Sequence, residues 1–231
     1  MVYVLRVFYA LEEINLSIYS IIAVHGLSGS WDTTWSVGKG DDSAIWLRDR
    51  LPTLLAKIDV QPRIRTFGYD ARFAFTRAKS TLETSAIDLL TRIRIMRMDD
   101  EGQDRPIVFI AHSMGGLLVK LAINLAHTDN VHYADVLTNT KGCVFLAVPF
   151  HGADDAFWAE KFSQIIKFST MGISGNVDIS AVTKRNSKDW MNISRDFVQR
   201  GKDMVFWSAY ETVKMSNHLV LRPPAPILLC Y

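Results

Sequence analysis

Cysteine is scarce, with two residues in 231, at positions 143 and 230. A disulfide-built secreted scaffold is thereby excluded, and two free thiols in a reducing compartment are the expectation. A charge excess is missing as well. Lys and Arg total 26 against 24 Asp and Glu, a formal net charge of +2, so the basic surplus that nucleic-acid binding draws on is not there and no nucleic-acid partner is expected. No apolar run reaches the roughly 18 uncharged residues that a membrane-spanning helix needs; membrane contact, if any, would be peripheral. His-Glu-x-x-His, paired Cys-x-x-Cys and a glycine-rich loop closing on Gly-Lys-Ser or Gly-Lys-Thr do not occur. Neither a metal nor a cofactor is therefore expected. The apolar stretch Met1 to Ala10 is broken by Glu12-Glu13 with no small-residue cleavage site after it. It reads as an N-terminal extension over residues 1–20 rather than a secretory signal, and the expected location is intracellular, in the cytoplasm.

What the chain has is alternation. Strand-like runs at Ser20 to Val24, Arg63 to Phe67, Ile107 to Ala111, Gly142 to Val148 and Met204 to Ala209 are rich in Ile, Val and Phe, as strands buried on both faces are. Helical patterns fill the gaps at Ile45 to Ile58, Leu82 to Arg97, Gly116 to His127, Phe157 to Phe168 and Asp189 to Arg200. The pattern predicts one α/β domain, a mostly parallel sheet with helices on both faces. In the second helix Ile87, Leu90, Ile93 and Met96 mark the inner face, and Arg92, Arg94 and Arg97 read as a solvated outer one.

One motif carries chemistry. Ala111-His112-Ser113-Met114-Gly115 stands between the run Ile107 to Phe109 and the helix pattern that starts at Gly116. A serine flanked by small residues on a strand-to-helix turn is the arrangement that exposes a nucleophilic hydroxyl in α/β-hydrolases. Ser113 is the candidate nucleophile; the alternative is an idle serine in an ordinary glycine-rich junction. The turn His25-Gly26-Leu27 after the first strand is the candidate oxyanion loop, with the backbone N–H groups of Leu27 and Met114 as donors. His25 then stabilises the turn. A serine needs a base, and the base an orienting acid, in the chain order Ser, acid, His. Glu211, just past the fifth strand, is the candidate acid, and His218 is the one histidine beyond it. His151 lies before the acid, His127 and His132 lie at the far end of the helix after Ser113, and His112 points away from the turn. Trp31, Trp35 and Trp46 follow the oxyanion loop; core packing is the expectation for them, an acyl pocket the alternative.

These landmarks together resemble the α/β-hydrolase domain of the serine-active-site-containing lipase family, especially the form that precedes fungal NACHT, NB-ARC and ankyrin-repeat domains. The matching segments are Val24 to Leu27, Thr34-Trp35, Trp46 to Asp49, Phe67 to Asp70, His112 to Gly116, Phe145 to Pro149, Arg185 to Ser187 and Tyr210 to Thr212. The resemblance implies an α/β-hydrolase fold over 21–215, a serine esterase acting on a small-molecule or lipid ester, and, by analogy, mitochondrial or endoplasmic-reticulum association as an alternative location. It also implies a further strand and a catalytic histidine after Thr212. Here Ser216-Asn217-His218 resembles the base segment but comes early, and Pro223, Pro224 and Pro226 follow. Prolines cannot donate to a sheet ladder. The expectation is therefore a divergent tail over 216–231, lacking the last strand, from a truncated or alternatively spliced product. Two functions stay open: a serine esterase, or a catalytically impaired regulatory or interaction module derived from one.

Overall fold

A computed structural model of the chain describes residues 18–27, 29–37, 43–71, 79–98, 105–148 and 179–209, with 79–80 and 179–187 described as backbone only. The frame is a five-stranded, all-parallel sheet in which the strand from Gln61 lies at one edge, followed by those from Ile18, Ile107, Thr140 and Val205. Its strands are β1 (Ile18–Val24), β4 (Gln61–Phe67), β5 (Ile107–His112), β6 (Thr140–Leu146) and β7 (Val205–Ala209). All five predicted strands are present. Their shared direction puts the strand ends Val24, Phe67, His112, Leu146 and Ala209 on one edge, where an open α/β sheet holds its ligands.

The central strand shows why the sheet forms. Ile107 to Ala111 are all fully buried, because a parallel strand with helices on both faces has no wet side. Odd positions of β5, with Ile22 and Val24 of β1 and Phe145 of β6, face the larger core cluster, and even positions face the smaller one with Tyr19, Ile21 and Ala23. The larger core is roofed by helices α3 (Lys79–Met98), α4 (Gly115–Thr128), α5 (Asn130–Asn139) and α6 (Ile179–Arg200). The smaller is closed by α1 (Trp46–Asp49) and α2 (Leu51–Leu55) through Leu47, Leu51 and Leu55. A two-stranded antiparallel ribbon of β2 (Ser36–Val37) and β3 (Ala44–Ile45) precedes α1. The expected mostly parallel sheet with helices on both faces is thus what the chain forms.

Several expectations change. The single helix read over Ile45 to Ile58 is two short α-helices and a 3-10 turn at Ala56–Ile58. Pro52 has no N–H to give the Arg48 carbonyl, and Arg50 leaves helical geometry at φ −125°. The helix ending at Arg200 is already helical at Ile179, ten residues before its expected start. An unanticipated helix, α5, begins where Asp129 accepts a hydrogen bond from the His132 N–H. On α3 the buried row is Leu82, Ala86, Leu89, Leu90, Ile93 and Arg97, whereas Ile87 is 47 % exposed.

Arg97 corrects the reading of a solvated basic face. It is buried, donating through Nε and Nη2 to Asp135 and through Nη1 to the Arg105 carbonyl. Arg92 and Arg94 are exposed as expected. The extension expected over 1–20 overlaps the first strand, which already starts at Ile18; its residues 1–17, the predicted helix Phe157 to Phe168 and the divergent tail over 216–231, with the expected loss of a last strand, lie outside the described residues.

Candidate active site

Ser113 sits between the last residue of β5 and the first turn of α4, with φ at +52°. For a residue with a Cβ this left-handed conformation costs about 1–2 kcal/mol, and it turns the side chain out of the strand toward solvent. The surrounding structure sustains it. The Ser113 N–H donates to the Leu146 carbonyl at 2.8 Å, tying the turn to the end of β6, and its carbonyl accepts from the Gly116 N–H at 3.1 Å. Ser113 stays partly exposed between buried Ala111 and buried Met114.

Close packing explains the small residues around it. A Cβ on Gly115 would fall on the carbonyl oxygens of His25 and Val24, so the loop after β1 lies directly on the first turn of α4. A Cβ on Gly26 would stand 2.8 Å from both the His112 carbonyl oxygen and the Ser113 Cβ, and 3.3 Å from the Met114 nitrogen. Gly116 meets the Val148 side chain in the same way. Three strand ends thus converge on Ser113.

The backbone donors are placed by the same packing. Leu27 and Met114 are buried, and among the described residues neither N–H has a hydrogen-bond acceptor. Met114 also heads a 14-residue helix, whose N-terminus favours negative charge. Ser113 thus stands partly exposed next to buried Met114, with Gly26 and the loop leading to buried Leu27 packed against it.

The histidines divide clearly. His25 is buried; its Nδ1 lies 3.0 Å from the Gly26 carbonyl, and its ring stacks on Tyr69 at 4.6 Å. Burial lowers its proton affinity, partly offset by the Gly26 hydrogen bond. His112 is likewise held below its ordinary value by burial and then by His25. His127 bonds the Arg200 carbonyl and His132 bonds Asp129, both at the end of α4 remote from the turn. Among the described residues no imidazole hydrogen-bonds the Ser113 hydroxyl. His151, Glu211 and His218 lie outside the described residues, as does the Gly172 to Asn176 stretch. Ala209, two residues before Glu211, accepts the Ala147 N–H at 2.8 Å at the same sheet edge as Ser113.

The tryptophans split too. Trp35 is buried and Trp46 meets its edge at 6.0 Å and 72°, both in the smaller core cluster. Trp31 is 57 % exposed beside Gly68. Two notable side chains were not anticipated. Tyr69 contacts the loop after β1, and Lys120, in the middle of α4, is completely buried with its proton affinity lowered by burial to about 7. A lysine inside the run Leu117 to Ile123 was a visible signal, since a helix apolar on all sides leaves it no wet face. Cys143, opposite it on β6, is pushed up by burial. Among the described residues no cluster of His, Cys, Asp and Glu could hold a metal, and no helix is long and apolar enough to cross a membrane.

A family model described as "putative serine esterase (DUF676)" matches residues 20–214. Human SERAC1 is 28 % identical over 186 residues, and SERAC1 of Danio rerio is 26 % identical over 196; each match takes in 76 % of this chain and 28 % of the relative. The chain thus spans 28 % of the length of the curated relatives it matches. Among solved structures, mature Bacillus licheniformis lipase BlEst2 aligns with a TM-score of 0.41 at 14 % identity, over 83 % of this chain and 65 % of that one. A Trichoderma reesei cutinase in complex with a C11Y4 phosphonate inhibitor aligns with a TM-score of 0.36 at 13 % identity, over 86 % and 87 %.

Proposed function

The chain belongs to the DUF676 serine esterase family, and from that membership we propose that it is a serine hydrolase cleaving carboxylic esters, lipid-like ones among them, with Ser113 as nucleophile. The observation that carries the reading is the left-handed Ser113 between β5 and α4. That conformation costs stability, so an idle serine would be better replaced by glycine. The hydroxyl attacks the ester carbonyl and gives its proton to the base, the N–H groups of Leu27 and Met114 receive the oxygen that becomes negative, and the tetrahedral intermediate collapses by expelling the alcohol, reprotonated by the base, to leave an acyl-enzyme that water then hydrolyses. Glu211 is the proposed acid, because β7 brings the chain to the reactive edge at Ala209. His218 is the proposed base by chain order. The ester substrate is the proposed partner, and no cofactor enters the mechanism.

A fluorophosphonate probe labels the wild-type chain on Ser113 and leaves Ser113→Ala unlabelled. Equal labelling of both would remove Ser113 from the role. One observation favours a second reading, a regulatory or interaction module of hydrolase descent: three of the four described histidines, His25, His127 and His132, hydrogen-bond other groups. Under that reading the wild type resists the probe, since without its base such a serine retains little more than the assistance of the backbone donors.

A further inference from the structure

We infer that Tyr69 is a positioning residue for the Leu27 N–H, acting through His25; the inference rests on the oxyanion-hole reading above. The chain of contacts is short. In a trans peptide the C=O and the following N–H point in opposite directions, so whatever fixes the Gly26 carbonyl fixes the aim of the Leu27 N–H. Two groups hold that carbonyl: His25 Nδ1 at 3.0 Å and the Gly29 N–H at 3.1 Å. For Nδ1 to donate, the imidazole must carry its proton there and present Nε2 as an acceptor. Tyr69 supplies the matching donor, its backbone N–H lying 3.5 Å from Nε2.

Tyr69 holds His25 at two further points. Its hydroxyl donates to the His25 carbonyl at 2.9 Å, and its ring lies on the imidazole at 4.6 Å and 28°. Phe67, at the end of β4, stacks in turn on Tyr69 at 5.4 Å and 21°. The clamp is therefore built from the edge strand inward. On the opposite side the His25 backbone rests on Gly115, where even a Cβ would stand 2.9 Å from its carbonyl carbon. The His25 peptide is held between α4 and Tyr69, and glycine at 26 leaves the next peptide free to follow the imidazole.

The device needs His25 neutral. A proton on Nε2 would confront the Tyr69 N–H and remove its acceptor. Among the described residues the titratable groups against His25 are Tyr69, from the turn after β4, and His112, from the end of β5. Burial raises Tyr69 and so keeps its hydroxyl a neutral donor. Among the described residues no carboxylate is hydrogen-bonded or ion-paired to His25.

The test separates this inference from the reading under it. Tyr69→Phe keeps the ring stack and removes the hydroxyl. With a fluorophosphonate probe, the maximal rate of Ser113 labelling should fall about tenfold, a fraction of what losing a direct oxyanion donor costs, while the probe concentration giving half that rate stays within about twofold. Tyr69→Trp, which also keeps a ring and loses the hydroxyl, should behave alike and serves if the phenylalanine variant does not fold. In the wild type the Leu27 amide resonance should titrate with the His25 ring. No label on wild-type Ser113 overturns both readings. Labelled wild type with an unchanged rate in both variants, or a Leu27 amide blind to His25 protonation, overturns the role of Tyr69 alone.

Discussion

Lys120 of α4 extends its ammonium nitrogen to the Ser194 hydroxyl of α6, 3.4 Å away, with the Phe145 and Phe197 rings 5.5 and 6.0 Å from it. Three polar residues of α4 at helical spacing face α6: Asn124 donates to the Ile193 carbonyl and His127 meets that of Arg200. The seam between these helices is thus fixed by directional bonds as well as by Trp190, Ile193 and Phe197.

Burial lowers the folded-state value of Lys120 to about 7 from 10.5. Above 10.5 neither state binds the proton. As pH falls from there to 7 the unfolded chain takes it up and the folded one does not, so stability is lost across that window, by at most about 1.4 kcal/mol per pH unit. Lys120→Met, of similar length and without the charge, should flatten this dependence and unfold at higher temperature near neutral pH. Thermal melts of both chains between pH 7 and 10 check it; parallel slopes would refute the assignment.

The Arg97–Asp135 pair has one member 2 % exposed and the other 47 %. Asp135→Ala leaves the guanidinium buried, still donating to the Arg105 carbonyl but without its carboxylate. The expected cost is about 1–3 kcal/mol, read as a lower urea midpoint. It should persist in salt, since the buried end is poorly screened.

Ser113→Gly should stabilise the fold by up to about 1 kcal/mol, because glycine adopts positive φ without the Cβ penalty and loses only part of that gain to backbone entropy. The same variant should lose all probe labelling. A destabilised variant would contradict the strain argument.

Gly116→Ala drives a methyl onto Val148 and should cost about 1–3 kcal/mol. Removing the Val148 methyls as well should recover part of it. The coupling energy of that double-mutant cycle is the measurement.

The strands were legible because each is a run of β-branched and aromatic residues buried on both faces, and the strand-to-helix turn at Ser113 because its small neighbours and its place after such a run are visible in one dimension. Pro52 could have split the long predicted helix, and Asp129 could have started α5. Arg97 was not legible: nothing in a helix pattern says that an arginine at its end will find a carboxylate 38 residues away. Tyr69 was hidden for the same reason. Its partner is His25, and only the pairing of β4 with β1 makes them neighbours.

Gly115 and Gly116 point to different loops, one fitting the backbone after β1 and the other the side chain after β6. Attempts to evolve new specificity would therefore do poorly by randomising the turn, where each change disturbs two loops at once. Variation is better tolerated at the exposed Trp31, which adjoins the same edge without supporting it. The frame is a fixture; its rim is adjustable.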